Sequence, residues 1–189
     1  KVTGVQTCAL PIYTYFVVAH FHYVMMDSVL FSFVGGMYYW WPKMSGKMYD
    51  EGFAKIAAVV AFIGFNGAFF VQFVAGAQGM PRRYATYPEQ YTNFHVISTI
   101  GAYTMGIGMV MVLCNFIHSA LKGKPAPANP WGSNSLEWQT ASPPPHDNFP
   151  TPMVAGDPYD YSEWKHISED EGWVRVELSA EEKLKKVAH

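Results

Sequence analysis

Two stretches of this chain, residues 56–81 and 90–121, contain no Asp, Glu, Lys or Arg. They are 26 and 32 residues long. A bilayer core of ~30 Å is crossed by a helix of about 20 mostly apolar residues, so each stretch is long enough to span. The averages conceal this, because only 15% of the 189 residues are charged but the charge is segregated. Residues 1–122 carry 11 charged side chains and the remaining 67 residues carry 17. That pattern excludes an ordinary soluble globule, a nucleic-acid binder and a disordered chain. It predicts an all-α, polytopic membrane part followed by a polar tail.

A third apolar run, residues 14–42, holds one charge, Asp27, and two histidines, His20 and His22. As a helix it extends about 43 Å, enough to span with tilt. Tyr38, Tyr39, Trp40 and Trp41 form an aromatic cluster of the kind found at a membrane interface, and Pro42 is expected to end the helix. The spans are placed at about 14–42, 54–79 and 90–122. Gly64, Gly67, Gly76, Gly101, Gly106 and Gly108 lie in the second and third; small residues let membrane helices approach closely. Residues 123–189 form a Pro- and Trp-rich tail, expected to be largely irregular and too polar to build a sizeable core. Residues 179–186 read as a short helix, with Ser179 as its cap and Glu182 three residues on.

Lysine and arginine set the orientation. Lys43, Lys47 and Lys55 flank the first connection, and Lys122 and Lys124 open the tail. Three spans place these five lysines on one side, assigned to the cytoplasm. Arg82 and Arg83 then lie outside, against the usual bias, and call for an anionic partner. Two cysteines, Cys8 and Cys114, cannot make a disulfide scaffold. Cys8 belongs to residues 1–12, KVTGVQTCALPI, which have no helical or strand period. They resemble the translation of a sequencing-library adapter. On that reading the native sequence begins near Tyr13 or Thr14, its N-terminus is missing, and the leading residues pack against nothing specific.

His20 and His22 carry the most chemistry. Two helical steps turn a side chain by roughly 200°, so the imidazoles point to nearly opposite faces and cannot comfortably chelate one ion. Each can bind a different metal, or hydrogen-bond to a neighbouring helix. A neutral imidazole inside a membrane needs such a partner, and axial ligation of haem iron is one. Arg82 and Arg83 follow the second span. Paired arginines make charge-assisted hydrogen bonds with carboxylates such as haem propionates; contact with lipid headgroups is the blander alternative. The topology puts all four residues at similar depth. His95 and His118, near opposite ends of the third span, read as interfacial histidines.

The motifs are more specific than these spacings. Residues 14–24 (TYFVVAHFHYV), 38–49 (YYWWPKMSGKMY), 79–91 (GMPRRYATYPEQY) and 129–149 (NPWGSNSLEWQTASPPPHDNF) resemble, in order, the cytochrome c oxidase subunit I family of haem–copper oxidases. The resemblance covers about residues 14–149 and makes the three spans the last three of twelve helices. It implies His20 as the catalytic-site ligand of a high-spin haem iron and His22 as an axial ligand of a low-spin haem iron. Phe21 lies between them, and Arg82 and Arg83 bind haem propionates. It implies two haems, of haem A type, and copper whose ligands lie upstream of this chain, as do the second low-spin ligand, the crosslinked tyrosine and the main proton channels. The implied partners are oxidase subunits II and III, cytochrome c as electron donor and membrane lipid, with no nucleic acid. The implied location is the bacterial inner (plasma) membrane rather than the mitochondrial one, with a cytoplasmic tail.

The family resemblance also exposes departures. Tyr13 stands where the family has the aspartate of a magnesium site. Asp27 stands where a small or apolar residue is usual, seven residues after His20 and so on nearly the same helical face. Val71 replaces a proline. The implied activity is reduction of oxygen to water with electrons from cytochrome c, coupled to proton translocation, in the full-length subunit; this chain alone is expected to be inactive. A quinol oxidase of the same superfamily is the competing enzyme. Tyr23 and Pro81 favour cytochrome c, since quinol-oxidising relatives tend to carry Asn and Thr there. A three-helix scaffold or transporter piece is the competing non-enzyme. It leaves the match in depth between the arginines and the histidines unexplained.

Overall fold

In a computed structural model of the chain, residues 10–149, 164–168 and 172–176 are described. Three long helices dominate: α1, Tyr15–Ser45; α2, Glu51–Ala77; and α3, Thr92–Lys122. All three are long and apolar enough to cross a membrane. The chain divides into two units, one of residues 1–39 and 49–123, the other of residues 40–48 and 124–189.

In the first unit, α2 begins where Asp50 caps it, its carboxylate accepting from the Phe53 amide at 2.7 Å. That start is three residues earlier than the apolar pattern suggested. Along α2 and α3, small residues allow backbone-to-backbone packing. A Cβ added at Gly64 would sit 2.1 Å from the Met105 nitrogen, and one at Gly101 would sit 2.2 Å from the Ala68 nitrogen. The start of α1 meets α2 in the same way, because a Cβ at Gly76 would lie 1.9 Å from the Phe16 nitrogen.

Polar side chains tie the helices where apolar packing alone has no driving force in lipid. Buried Asn115 of α3 donates to the Asp50 carbonyl at 3.0 Å and to the Tyr38 hydroxyl at 3.3 Å. Tyr38 packs edge-on against Tyr49 and close to Phe116, so one member of the expected aromatic belt is an internal brace instead. Burial, then the neighbouring Glu51 carboxylate and Tyr38, push the Tyr49 phenol up. Tyr23 donates to Asn66 at 2.7 Å, and Gln72 donates to Ser98 at 3.0 Å.

Two details of α1 correct the sequence expectation. Pro42 does not end the helix, which runs through it to Ser45. Proline has no N–H to give the Tyr38 carbonyl, yet the helix continues three residues beyond it. The stop is Gly46, at φ +69°, whose amide donates to the Pro42 carbonyl at 2.9 Å. Residues His22–Phe31 are π-helical between α-helical turns. The Ser28 hydroxyl there bonds back to the Val24 carbonyl, competing with the backbone ladder. The seven-residue spacing that sets Asp27 over His20 in a regular α-helix therefore does not carry over. Asp27 is exposed.

The second unit is less irregular than expected. Residues 46–48 pair with 124–126 through Met48 N–H to the Lys124 carbonyl (2.8 Å) and Ala126 N–H to the Gly46 carbonyl (2.9 Å). Trp138 is fully buried. Lys43, also buried, donates to the carbonyls of Thr140 and Ala141 and sits 5.2 Å from the centre of the Trp138 ring. A small core thus forms around Trp138. The fold is all-α as expected apart from one short antiparallel pair, Trp164–Ser168 (β1) with Gly172–Arg175 (β2). The helix expected at residues 179–186 lies outside the described residues, as do Cys8 and residues 1–9.

Candidate haem-ligand site

The site is built at one end of the first unit, where α1 begins and α2 ends. Thr14 caps α1, its hydroxyl accepting from the Phe16 amide at 3.3 Å. The segment before it is stitched to the loop after α2. Tyr15 N–H donates to the Met80 carbonyl at 2.9 Å, Arg82 N–H donates to the Tyr13 carbonyl at 3.0 Å, and Thr14 bridges Pro81. Of the adapter-like residues, 10–12 enter a single 3-10 turn, Leu10–Tyr13, and Ile12 is half exposed.

This stitching puts Arg82 and Arg83 at the end of the bundle where α1 begins. His20 and His22 lie five and seven residues into the same helix, about 7–11 Å along its axis. The two imidazoles have different surroundings. His20 is exposed, whereas His22 is half-buried against α2. The His22 ring stacks on Phe69 with centroids 4.2 Å apart and planes 15° apart, and on Phe21 at 4.3 Å. Its Nδ1 hydrogen-bonds to the Val18 carbonyl at 2.7 Å. A carbonyl can only accept, so Nδ1 carries the proton and Nε2 keeps its lone pair for a metal or donor. Such a bond fixes the tautomer and orientation of the ring.

Beside His22 runs an apolar groove of about 410 Å³, lined by Phe21, His22, Met25, Met26, Val29, Leu30 and Phe33. Met25, Val29 and Phe33 are 61–68% exposed. Among the described residues, neither Arg82 nor Arg83 pairs with a carboxylate. Arg83 adopts φ +66°, a left-handed conformation that a non-glycine side chain rarely takes. Such strain persists only where the surroundings impose it, and it clusters at ligand-binding sites.

One contributor was underread. His95 of α3 sits against this loop, not merely at an interface: its Nε2 lies 3.1 Å from the Met80 sulfur, and its ring meets those of Tyr15 and Tyr87. Nothing in the spacing of His95 signals this, because it depends on how the preceding loop folds back and on Tyr15, eighty positions earlier. His118 is exposed. No cluster of three His, Cys, Asp or Glu side chains suited to a metal ion occurs among the described residues.

Three membrane-length helices, with an oriented imidazole beside an apolar groove and two arginines that pair with no carboxylate among the described residues, define a polytopic membrane bundle. The chain belongs to the family described as cytochrome c and quinol oxidase polypeptide I, whose profile matches residues 6–104. It is 47% identical over 147 residues to the cytochrome c oxidase subunit 1 of Bacillus subtilis, covering 76% of this chain and 24% of that one. It is 38% identical over 180 residues to the subunit 1 of Synechocystis, covering 92% of this chain and 33% of that protein. The chain thus spans a quarter to a third of the length of these curated relatives.

Proposed function

We propose that this chain supplies haem ligands and propionate contacts to the catalytic subunit of a respiratory oxidase that reduces oxygen to water. The electron donor is cytochrome c, and the reaction is coupled to proton translocation. The observation that carries the reading is the His22 imidazole, held at Nδ1 by the Val18 carbonyl with Nε2 left as a ligand beside an apolar groove. The residues fit a haem: imidazole for iron, apolar and aromatic walls for the macrocycle, and paired guanidinium groups for its carboxylates. When bound, the haems supply one-electron transfer and the iron at which oxygen is reduced.

His22 would hold the iron of the low-spin haem and His20 that of the high-spin haem, which supplies the oxygen chemistry. Phe21 separates them, and its stacking on His22 fixes the ring plane. Arg82 and Arg83 hold the propionates. The copper ligands and the second low-spin haem ligand are contributed from outside this chain, and subunits II and III are its partners in the complex. The arginine end of the bundle faces outward and the tail faces the cytoplasm, in a bacterial inner membrane. The curated relatives described above are named cytochrome c oxidases, which favours that donor over quinol.

The test uses the full-length subunit in its assembled oxidase. His22→Ala should abolish the low-spin haem absorption, because it deletes an iron bond. A variant oxidase with both haem signals unchanged would overturn the assignment and leave the scaffold reading.

A further inference from the structure

We infer that His95 is a positioning residue for the arginine pair: it clamps the loop between α2 and α3 at both ends and so fixes Arg82 and Arg83 against their anionic partner. The inference rests on the haem-propionate reading above. The loop needs such a clamp. Arg83 is held at φ +66°, a conformation disfavoured for a residue with a Cβ. The Arg82 backbone is anchored by one hydrogen bond to Tyr13.

His95 meets the loop on either side of the arginines. Before them, its Nε2 contacts the sulfur of Met80 at 3.1 Å. A thioether can only accept, so Nε2–H is the donor and the imidazole is fixed in one tautomer. Beyond them, the Tyr87 ring lies 4.0 Å from the His95 ring at 30°. The Tyr15 ring meets it edge-on at 5.4 Å, linking the clamp to the first turn of the histidine helix. Met80 is itself buried with Ala75 and Tyr91, and the Tyr91 hydroxyl donates to the Gln78 carbonyl at 2.8 Å. The loop base is therefore rigid, and His95 connects it to the far end of the loop. No iron ligation or proton transfer by His95 is required; it acts through the arginines.

The test is a mutant cycle in the full-length, haem-loaded oxidase, read by the low-spin haem midpoint potential and by hydrogen exchange of peptides covering residues 80–87. Guanidinium groups on the propionates oppose the extra positive charge of ferric iron. Loosening them should lower the potential. His95→Ala should shift the oxidised-to-reduced ratio at fixed poise about tenfold toward oxidised, equivalent to ~59 mV for one electron. Exchange across residues 80–87 should speed up. His95→Gln, which keeps a donor for the sulfur, should recover part of both changes. Arg82→Gln should lower the potential by itself, and His95→Ala in that background should add little further shift.

A normal potential in His95→Ala with a lowered one in Arg82→Gln would overturn the clamp and leave the propionate reading standing. A normal potential in both Arg82→Gln and Arg83→Gln would overturn the propionate reading, and the clamp with it. If His95→Ala fails to assemble, Met80→Leu decides. It keeps the buried volume but removes the acceptor, and should move potential and exchange in the same direction by a smaller amount; no change in either would overturn the clamp.

Discussion

The seam between α2 and α3 and the histidine stretch of α1 lie in the same unit but are finished to different degrees. At the seam, Gly64 and Gly101 bring backbones into contact, and Asn115, Gln72 and Ser98 find partners across the helices. In the π-helical stretch from His22 to Phe31 no residue is buried. His20 and Asp27 are exposed, and an apolar groove lies open beside His22. The seam is a scaffold packed by this chain's own residues, with only the Gln72 Oε1 left without a partner among the described buried side-chain atoms of these helices. The histidine stretch leaves apolar side chains and the His20 imidazole without cover among the described residues. The same contrast separates stability from function: changes at the seam should unfold the bundle, while changes at the histidines should cost cofactor and little stability.

The largest effect is expected where backbones touch. Gly64→Leu or Gly101→Leu forces a side chain into the backbone of the facing helix and should prevent assembly of the oxidase, measured as loss of detergent-extractable complex. Gly101→Ala should follow, destabilising by about 1–3 kcal/mol or more as overpacking does. Normal thermal stability of Gly101→Ala would break the account of the seam.

A second comparison sharpens the role of polar ties. Lys43→Met in the second unit removes the donor to the Thr140 and Ala141 carbonyls, a charge-assisted pair of bonds worth about 1.5–3 kcal/mol. Faster hydrogen exchange over residues 138–141 is the expected result. Tyr23→Phe removes one hydrogen bond to Asn66 and should cost about 0.6 kcal/mol, the typical value between membrane helices. Gly106→Ala is the smallest change. A Cβ at Gly106 meets nothing within 4 Å, so thermal stability should stay level or rise by up to about 1 kcal/mol from helix propensity. A marked loss at Gly106 would mean that its open face is as tightly packed as Gly101 in the assembled protein.

Much of this contrast was legible in the sequence. Two uncharged runs and one run with a single charge, Asp27, marked the three helices, because length and hydropathy suffice to mark a span. The arginines fell at the histidine end because three alternating spans leave no other choice for a loop after the second. What the sequence hid depends on contacts between distant residues. Proline at position 42 reads as a stop, but the helix runs through it and Gly46, with its positive φ, ends it. The π-helical turns from His22 carry no sequence period of their own. Lys43 looked like a topological charge; its burial follows from Trp138 and the carbonyls of residues 140 and 141, nearly a hundred positions away. His95 looked interfacial for the same reason.

The central claim is that one helix presents two imidazoles to two different iron centres. The most direct measurement compares His20→Ala and His22→Ala in the full-length oxidase by low-temperature electron paramagnetic resonance, which separates high-spin from low-spin ferric haem. The account predicts that His22→Ala removes the low-spin signal and leaves the high-spin centre in place. It predicts that His20→Ala perturbs the high-spin centre while the low-spin signal persists. Both variants changing the same single centre, or neither changing any, would contradict it.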